Sequence, residues 1–125
     1  MQVKELMKRP YVVDKDITLA DAAKVMSSKE IGSLLLVSKG KAKGIITESD
    51  LLKNFGKNKK VSEIMSKNLI SISENGSIES ALKLMKDNKI KRLPIIDSQK
   101  KLVGIISMTD IAANTDNLDG EFFFG

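Results

Sequence analysis

The stretch Gly44-Ile45-Ile46-Thr47-Glu48-Ser49-Asp50 returns sixty residues later as Gly104-Ile105-Ile106-Ser107-Met108-Thr109-Asp110. Each begins as a short apolar run and contains a hydroxyl residue followed three positions on by an aspartate. That spacing is a capping box with Asp in place of Glu, so each stretch reads as a strand that hands over to a helix. The match extends toward the N-terminus. Val3-Lys4-Glu5-Leu6-Met7 lines up with Val61-Ser62-Glu63-Ile64-Met65 at an offset of 58, and Leu19 through Met26 with Ile78 through Met85 at an offset of 59. Each one-residue step falls where a turn is expected, so the chain is a duplicated unit.

Within each copy the order is the same. An extended segment (Tyr11–Val13; Leu69–Ile72) precedes a hydroxyl N-cap, Thr18 or Ser77. Leu19, Ala22, Ala23 and Met26 fall at i, i+3, i+4 and i+7, and so do Ile78, Ala81, Leu82 and Met85. This spacing predicts one apolar stripe on each helix. The runs Leu34–Val37 and Gly44–Thr47 flank a turn at Lys39-Gly40-Lys41, as Leu93–Ile96 and Val103–Ser107 flank Ser98-Gln99-Lys100, which predicts two β-hairpins. A further helix starts near Ser49 or Thr109. The predicted fold class is α/β (α+β), with β-α-β-β-α repeats at 1–55 and 61–115, a linker at 56–60 and a tail at 116–125. A ~60-residue unit buries only about 60% of its unfolded surface, and Leu34–Val37 shows no polar alternation, as in a strand covered on both faces. The repeats are therefore expected to pack through their sheets about an approximate two-fold axis, with a cleft between them lined twice by equivalent residues.

Composition narrows the chemistry. The chain of 125 residues has neither cysteine nor histidine. That removes disulfides, thiolate metal sites, cysteine nucleophiles and the commonest general base and metal ligand. Asp50 and Asp110 have no metal-ligand cluster around them, so no catalytic residue and no metal site is predicted, and an enzyme is the least favoured reading. Lys and Arg number 21 against 16 Asp and Glu, a net charge of +5 that favours anionic partners weakly. The densest basic run, Lys57, Lys59 and Lys60, falls in the linker. Non-specific nucleic-acid binding is one competing reading of this charge, but a single Tyr, no Trp and no basic–aromatic interleaving give it little support. No apolar run approaches the ~20 residues of a membrane span, and no basic-then-apolar segment follows Met1. A cytoplasmic protein without membrane contact is expected.

At the two Gly-to-Asp stretches, with Ile64-Met65 opening the second copy and Arg92-Leu93-Pro94-Ile95-Ile96-Asp97 on its hairpin, the sequence resembles a tandem pair of CBS (cystathionine-β-synthase) domains, the Bateman module, over about residues 3–115. The resemblance implies a stand-alone regulatory module, commonly a homodimer. It would bind an adenosine-containing ligand (AMP, ADP, ATP, S-adenosylmethionine or NAD) between its repeats, require no cofactor, and pass an energy or metabolite signal to a partner protein. Carried over residue by residue, one site comprises Thr47, Ser49 and Asp50 with Ile70, Ser71, Ile90, Lys91 and Arg92. The other comprises Ser107, Thr109 and Asp110 with Lys8, Val12, Ile31, Gly32 and Ser33. In the family the aspartate accepts hydrogen bonds from the ribose hydroxyls, and the hydroxyl residues lie at sugar and phosphate.

These residue types suit that task. A carboxylate is acceptor-only and can take both hydroxyls of a cis-diol; arginine grips phosphate bidentately, with lysine as a point charge beside it. On this grouping Lys91 and Arg92 face Asp50, whereas Gly32 and Ser33 face Asp110. A phosphorylated nucleotide is then expected at Asp50, and at Asp110 either an empty site or a less charged ligand unless Lys8 or Arg9 reaches it. Plainer roles exist for the same residues: helix capping for Thr47 with Asp50 and Ser107 with Asp110, and core filling for Met26, Met65 and Met85. Leu51, Leu52 and Phe55, with Ile111 and Ala112, read either as a dimer surface or as core, and a ligand-free structural dimerisation module is a third functional reading. Phe122–Phe124 are expected to dock on this chain, on a dimer mate or on a partner.

Overall fold

The computed structural model describes residues 1–114; the expected docking of Phe122–Phe124 lies outside the described residues. A single tight helical turn at Val3–Glu5 is followed by β1 (Val12–Val13), α1 (Leu19–Lys29), β2 (Ser33–Ser38), β3 (Lys41–Thr47) and α2 (Glu48–Lys53). The second half carries α3 (Val61–Ile64), β4 (Ile72–Ser73), α4 (Ile78–Asn88), β5 (Arg92–Ile96), β6 (Leu102–Ser107) and α5 (Met108–Ala112). Two three-stranded sheets result, β1-β2-β3 and β4-β5-β6. In each, the first strand runs parallel to the middle one and the third antiparallel to it. The fold is the expected mixed α and β class, twice over.

Local chemistry explains the elements. The Thr18 and Ser77 hydroxyls accept the N–H groups of Asp21 and Ser80 at 3.1 and 3.0 Å, capping α1 and α4. Both helices then stop at a non-glycine residue in the left-handed region, Glu30 and Lys89, each with φ 54°. Of the predicted stripes, Leu19, Ala22 and Met26 on α1 and Ile78, Ala81 and Met85 on α4 are buried and Leu82 packs partly against the core, whereas Ala23 is exposed on the flank of α1. On β2 the consecutive residues Leu34 and Leu35 are both buried, and since neighbours on a strand point to opposite faces, the strand is covered on both.

The hairpins show where the repeats diverge. Ser38 pairs with Lys41 across a two-residue loop, Lys39-Gly40, in which both residues have positive φ as a type I′ turn requires. The second hairpin has a longer loop, in which Asp97 Oδ1 accepts the N–H groups of Gln99 and Lys101 at 2.8 and 2.9 Å. The parallel ladders also start differently. Leu35 donates its N–H to the Tyr11 carbonyl at 3.1 Å, and Val12 pairs with Leu35. Pro94 stands where the second copy would repeat this, has no N–H to give, and the ladder begins one residue on, with Ile72 opposite Ile95.

Two compact units form, and each contains the other repeat's leader segment. One unit joins Met1–Arg9 to the chain from Ile70 onward; the other is Pro10–Leu69. Val3 is fully buried in a core with Ile72, Ile78, Leu93 and Ile106. Val61 is buried with Leu19, Leu34 and Ile46. Each leader also adds a short antiparallel bridge to the motif strand: Lys8 exchanges two backbone hydrogen bonds with Ile105 (2.9 and 3.0 Å), and Ser66 exchanges two with Ile45 (both 3.0 Å). These contacts account for the motif glycines. A Cβ at Gly104 would overlap Met7 Sδ, and one at Gly44 would overlap Met65 Sδ, so a bare backbone lets each leader methionine lie against its strand. In the Pro10–Leu69 unit the Asp16 carboxylate accepts the Ser62 hydroxyl and, at 2.9 Å, the Ser62 N–H at the start of α3. These two bonds, the hydroxyl first, hold the Asp16 carboxyl below its ordinary value. At the equivalent place in the other unit, Lys4 Nζ donates to Asn75 Oδ1 at 3.1 Å.

Candidate functional site

Each unit presents one motif, built by the end of a hairpin strand and the helix that follows it. In the Pro10–Leu69 unit, Asp50 Oδ2 accepts the Thr47 N–H at 2.9 Å and the Thr47 hydroxyl at 3.1 Å. The Asp50 N–H points back to Thr47 Oγ1 at 3.4 Å. The capping reading of the motif is thus realised. It occupies one carboxylate oxygen. Among the described residues Asp50 Oδ1 has no hydrogen-bond or ion-pair partner, and Asp50 is only half-buried. Ser49 is exposed beside it. Ser33 stands opposite Thr47 in the β2–β3 ladder, and the Gly32 carbonyl accepts the Glu48 N–H at 3.2 Å. Ile31 packs against the core of this unit, and Val12 is 44% exposed.

The second motif repeats the cap in a different setting. Asp110 Oδ2 accepts the Ser107 N–H at 2.9 Å, and the Asp110 N–H donates to Ser107 Oγ at 3.0 Å. Here the other carboxylate oxygen is taken too: Lys8 Nζ lies 2.8 Å from Asp110 Oδ1. Asp110 is 8% exposed and Lys8 74%, so a buried carboxylate meets an ammonium that keeps most of its hydration. Burying a carboxylate is costly unless its oxygens are matched, and both are. Arg92 stands opposite Ser107 in the β5–β6 ladder, and the Lys91 carbonyl accepts the Met108 N–H at 2.8 Å. Ile70 and Ile90 pack against this unit's core, Ser71 is half-buried, and Thr109 is exposed on α5.

The within-unit register therefore places Lys91 and Arg92 beside the Ser107–Asp110 motif, where Lys8 also lies, and Gly32 and Ser33 beside the Thr47–Asp50 motif. Position-specific readings missed one pair. Asn54 and Asn114 each follow their aspartate by four residues and donate a side-chain N–H to its carbonyl, both at 2.8 Å, tying down the end of a short helix. Their identical spacing in the two copies was the available signal. Of the candidate dimer residues, Ile111 is fully buried core and Leu51 packs against the other core, whereas Leu52 and Phe55 are 76% and 89% exposed. Among the described residues no group of three or more carboxylates is placed to hold a metal ion. No helix among them is long and apolar enough to cross a membrane.

Two copies of one α and β unit, exchanged leader segments and a capped carboxylate at the head of each motif helix define a tandem-repeat domain pair. A family model of the CBS domain matches residues 3–57 and again 61–115, and the chain belongs to the CBS domain family as a tandem pair. An uncharacterised 17.7 kDa protein of Acidianus ambivalens is 39% identical over 106 residues, covering 82% of this chain and 65% of that one. The inosine-5'-monophosphate dehydrogenase of Methanocaldococcus jannaschii is 37% identical over 118 residues, covering 88% of this chain and 24% of the enzyme. The chain thus spans less than two thirds of the length of these curated relatives. Among solved structures, the CBS domain pair of protein MJ0100, in complex with 5'-methylthioadenosine and S-adenosyl-L-methionine, superposes with a TM-score of 0.85 at 31% identity over 94% of this chain and 97% of that one.

Proposed function

We propose that the chain is a regulatory module that binds an adenosine-containing ligand through its motif carboxylates and signals the bound state to a partner protein. The observation that carries this reading is the division of labour within each carboxylate. Capping uses Oδ2 in both motifs, and at Asp50 the whole of Oδ1 remains for a ribose hydroxyl. Helix capping and sugar binding are therefore compatible uses of one residue. Thr47, Ser49 and Asp50 in one unit, and Ser107, Thr109, Asp110 and Lys8 in the other, are the proposed sugar and phosphate contacts. The solved pair that binds methylthioadenosine and S-adenosylmethionine supports the ligand class, which extends to AMP, ADP, ATP and NAD. The matching stretch within a dehydrogenase about four times as long supports regulation of a partner's activity. Exposed Leu52 and Phe55 on and just after α2 support self-association into a homodimer. Cytoplasmic residence completes the reading.

A thermal-shift panel tests it. A ligand that binds only the folded chain raises Tm in proportion to the logarithm of its concentration once above Kd. AMP, ATP, S-adenosylmethionine and NAD are each titrated against the chain and against Asp50→Ala and Asp110→Ala together. At least one is expected to raise Tm, with the shift abolished in the double variant. A flat response from all four would leave a structural module in its place.

A further inference from the structure

Resting on the self-association reading, we propose that the surface formed by Leu52 and Phe55 receives the segment 115–125 of a second copy of this chain, so that two copies pair by exchanging these segments. Leu52 and Phe55 are 76% and 89% exposed, the two most exposed large apolar side chains among the described residues. Single exposed aliphatic residues are ordinary on a protein surface, but a phenylalanine left almost wholly in water beside a leucine marks a contact. The surface is also held in place. Phe55 donates its N–H to the Leu52 carbonyl at 3.4 Å, Lys57 donates to the Asn54 carbonyl at 3.0 Å, and the Asn54 side chain ties back to the Asp50 carbonyl. Gly56, with φ 80°, makes the turn between them.

Composition names the occupant. The four phenylalanines of the chain are Phe55 and Phe122–Phe124, and the two cores among the described residues are built from aliphatic side chains and methionine. The charges are complementary. Residues 51–60 carry Lys53, Lys57, Lys59 and Lys60 and no carboxylate, and Lys53 and Lys57 have no ion-pair partner among the described residues. Residues 115–125 carry Asp116, Asp119 and Glu121 just before the run of phenylalanines, and no basic residue. Two α2 surfaces pressed face to face would set lysine against lysine. An acidic and aromatic segment instead offsets those charges as it covers the apolar side chains. The repeats divide the two roles: at the sixty-residue offset, Ala112 and Thr115 stand where the first copy has Leu52 and Phe55. A two-fold pair makes the contact twice. The phenylalanines of both copies together, at about 150–250 Å² each, then reach the ~1,200–2,000 Å² of a stable interface.

Sedimentation equilibrium of the full chain tests the proposal, with Phe55→Ser in the surface and, separately, Phe122→Ser, Phe123→Ser and Phe124→Ser together in the segment. The unaltered chain is expected to dimerise, and each variant to raise the dissociation constant at least tenfold, because both copies of the contact are lost. Mixing the two variants is expected to restore a heterodimer that neither forms alone, since one intact surface then meets one intact segment. Asp116→Asn, Asp119→Asn and Glu121→Gln together are expected to weaken the dimer several-fold and to flatten its salt dependence. A dimer that survives either phenylalanine variant overturns the proposal. So does a mixture that stays monomeric, which would show that surface and segment do not meet between copies. A monomeric unaltered chain would remove the self-association reading and the proposal with it, a result distinct from a dimer that holds without the segment.

Discussion

The Asp50 and Asp110 motifs share strand, cap and trailing asparagine, yet they sit at different depths. Helix α2 has no buried residue, whereas α5 buries both Asp110 and Ile111. Asp50 keeps one carboxylate oxygen without a partner among the described residues, and Asp110 has both engaged. The duplicated features are side chains that satisfy backbone N–H and C=O groups, which any copy of the hairpin-to-helix turn needs. The divergent features are contributed by neighbours: an isoleucine that reaches the core where the first copy has a half-buried leucine, and a lysine where it has a serine. A duplicated fold thus keeps its framework twice while its two motifs become chemically unlike.

The largest expected effect tests the difference in depth. Ile111→Ala removes a fully buried side chain and is expected to cost about 2–5 kcal/mol in urea unfolding. Leu51→Ala, at the equivalent helix position but only partly buried, is expected to cost less than half as much. Equal losses would show that the two motif helices are anchored alike. Smaller effects separate the carboxylates. Asp110→Ala takes away the carboxylate half of the α5 capping box and a buried ion pair together, for an expected loss of about 1–3 kcal/mol. Asp50→Ala loses the carboxylate half of its capping box alone, about 1 kcal/mol. A larger loss at Asp50 would reverse the comparison. The smallest effect concerns the leaders. Because the folded carboxyl of Asp16 is held below its ordinary value, its contribution is fully present above the unfolded carboxylate value of about 4 and is lost as pH falls through the lower folded value. Asp16→Asn is expected to remove that part of the acid limb of a pH–stability profile, while Asn75→Ala in the other unit leaves the acid limb unchanged.

Much of this fold was legible because its signals are local. The Thr18 and Ser77 caps, the apolar stripes of α1 and α4, both hairpins and the Thr47/Asp50 and Ser107/Asp110 boxes each depend on residues within one or two turns of one another, and repetition doubled every signal. The shifted start of the β4 ladder was less visible, since it takes the missing N–H of Pro94 to explain it. The leader exchange left no local signal; only the family resemblance grouped Lys8 with Asp110. Val3 and Val61 look alike in sequence, and either would satisfy either core.

The sequence by itself determined the duplication, the secondary structure and the identity of the motif carboxylates, because hydrogen-bonding and apolar periodicities are written in neighbouring residues. Only the tertiary structure decided which leader lies against which motif strand, and so gave Lys8 to Asp110 and Ser66 to the Asp50 unit. Two repeats of one fold offer two similar pairings for each leader, and the choice between them is made by long-range packing and not by any short-range preference.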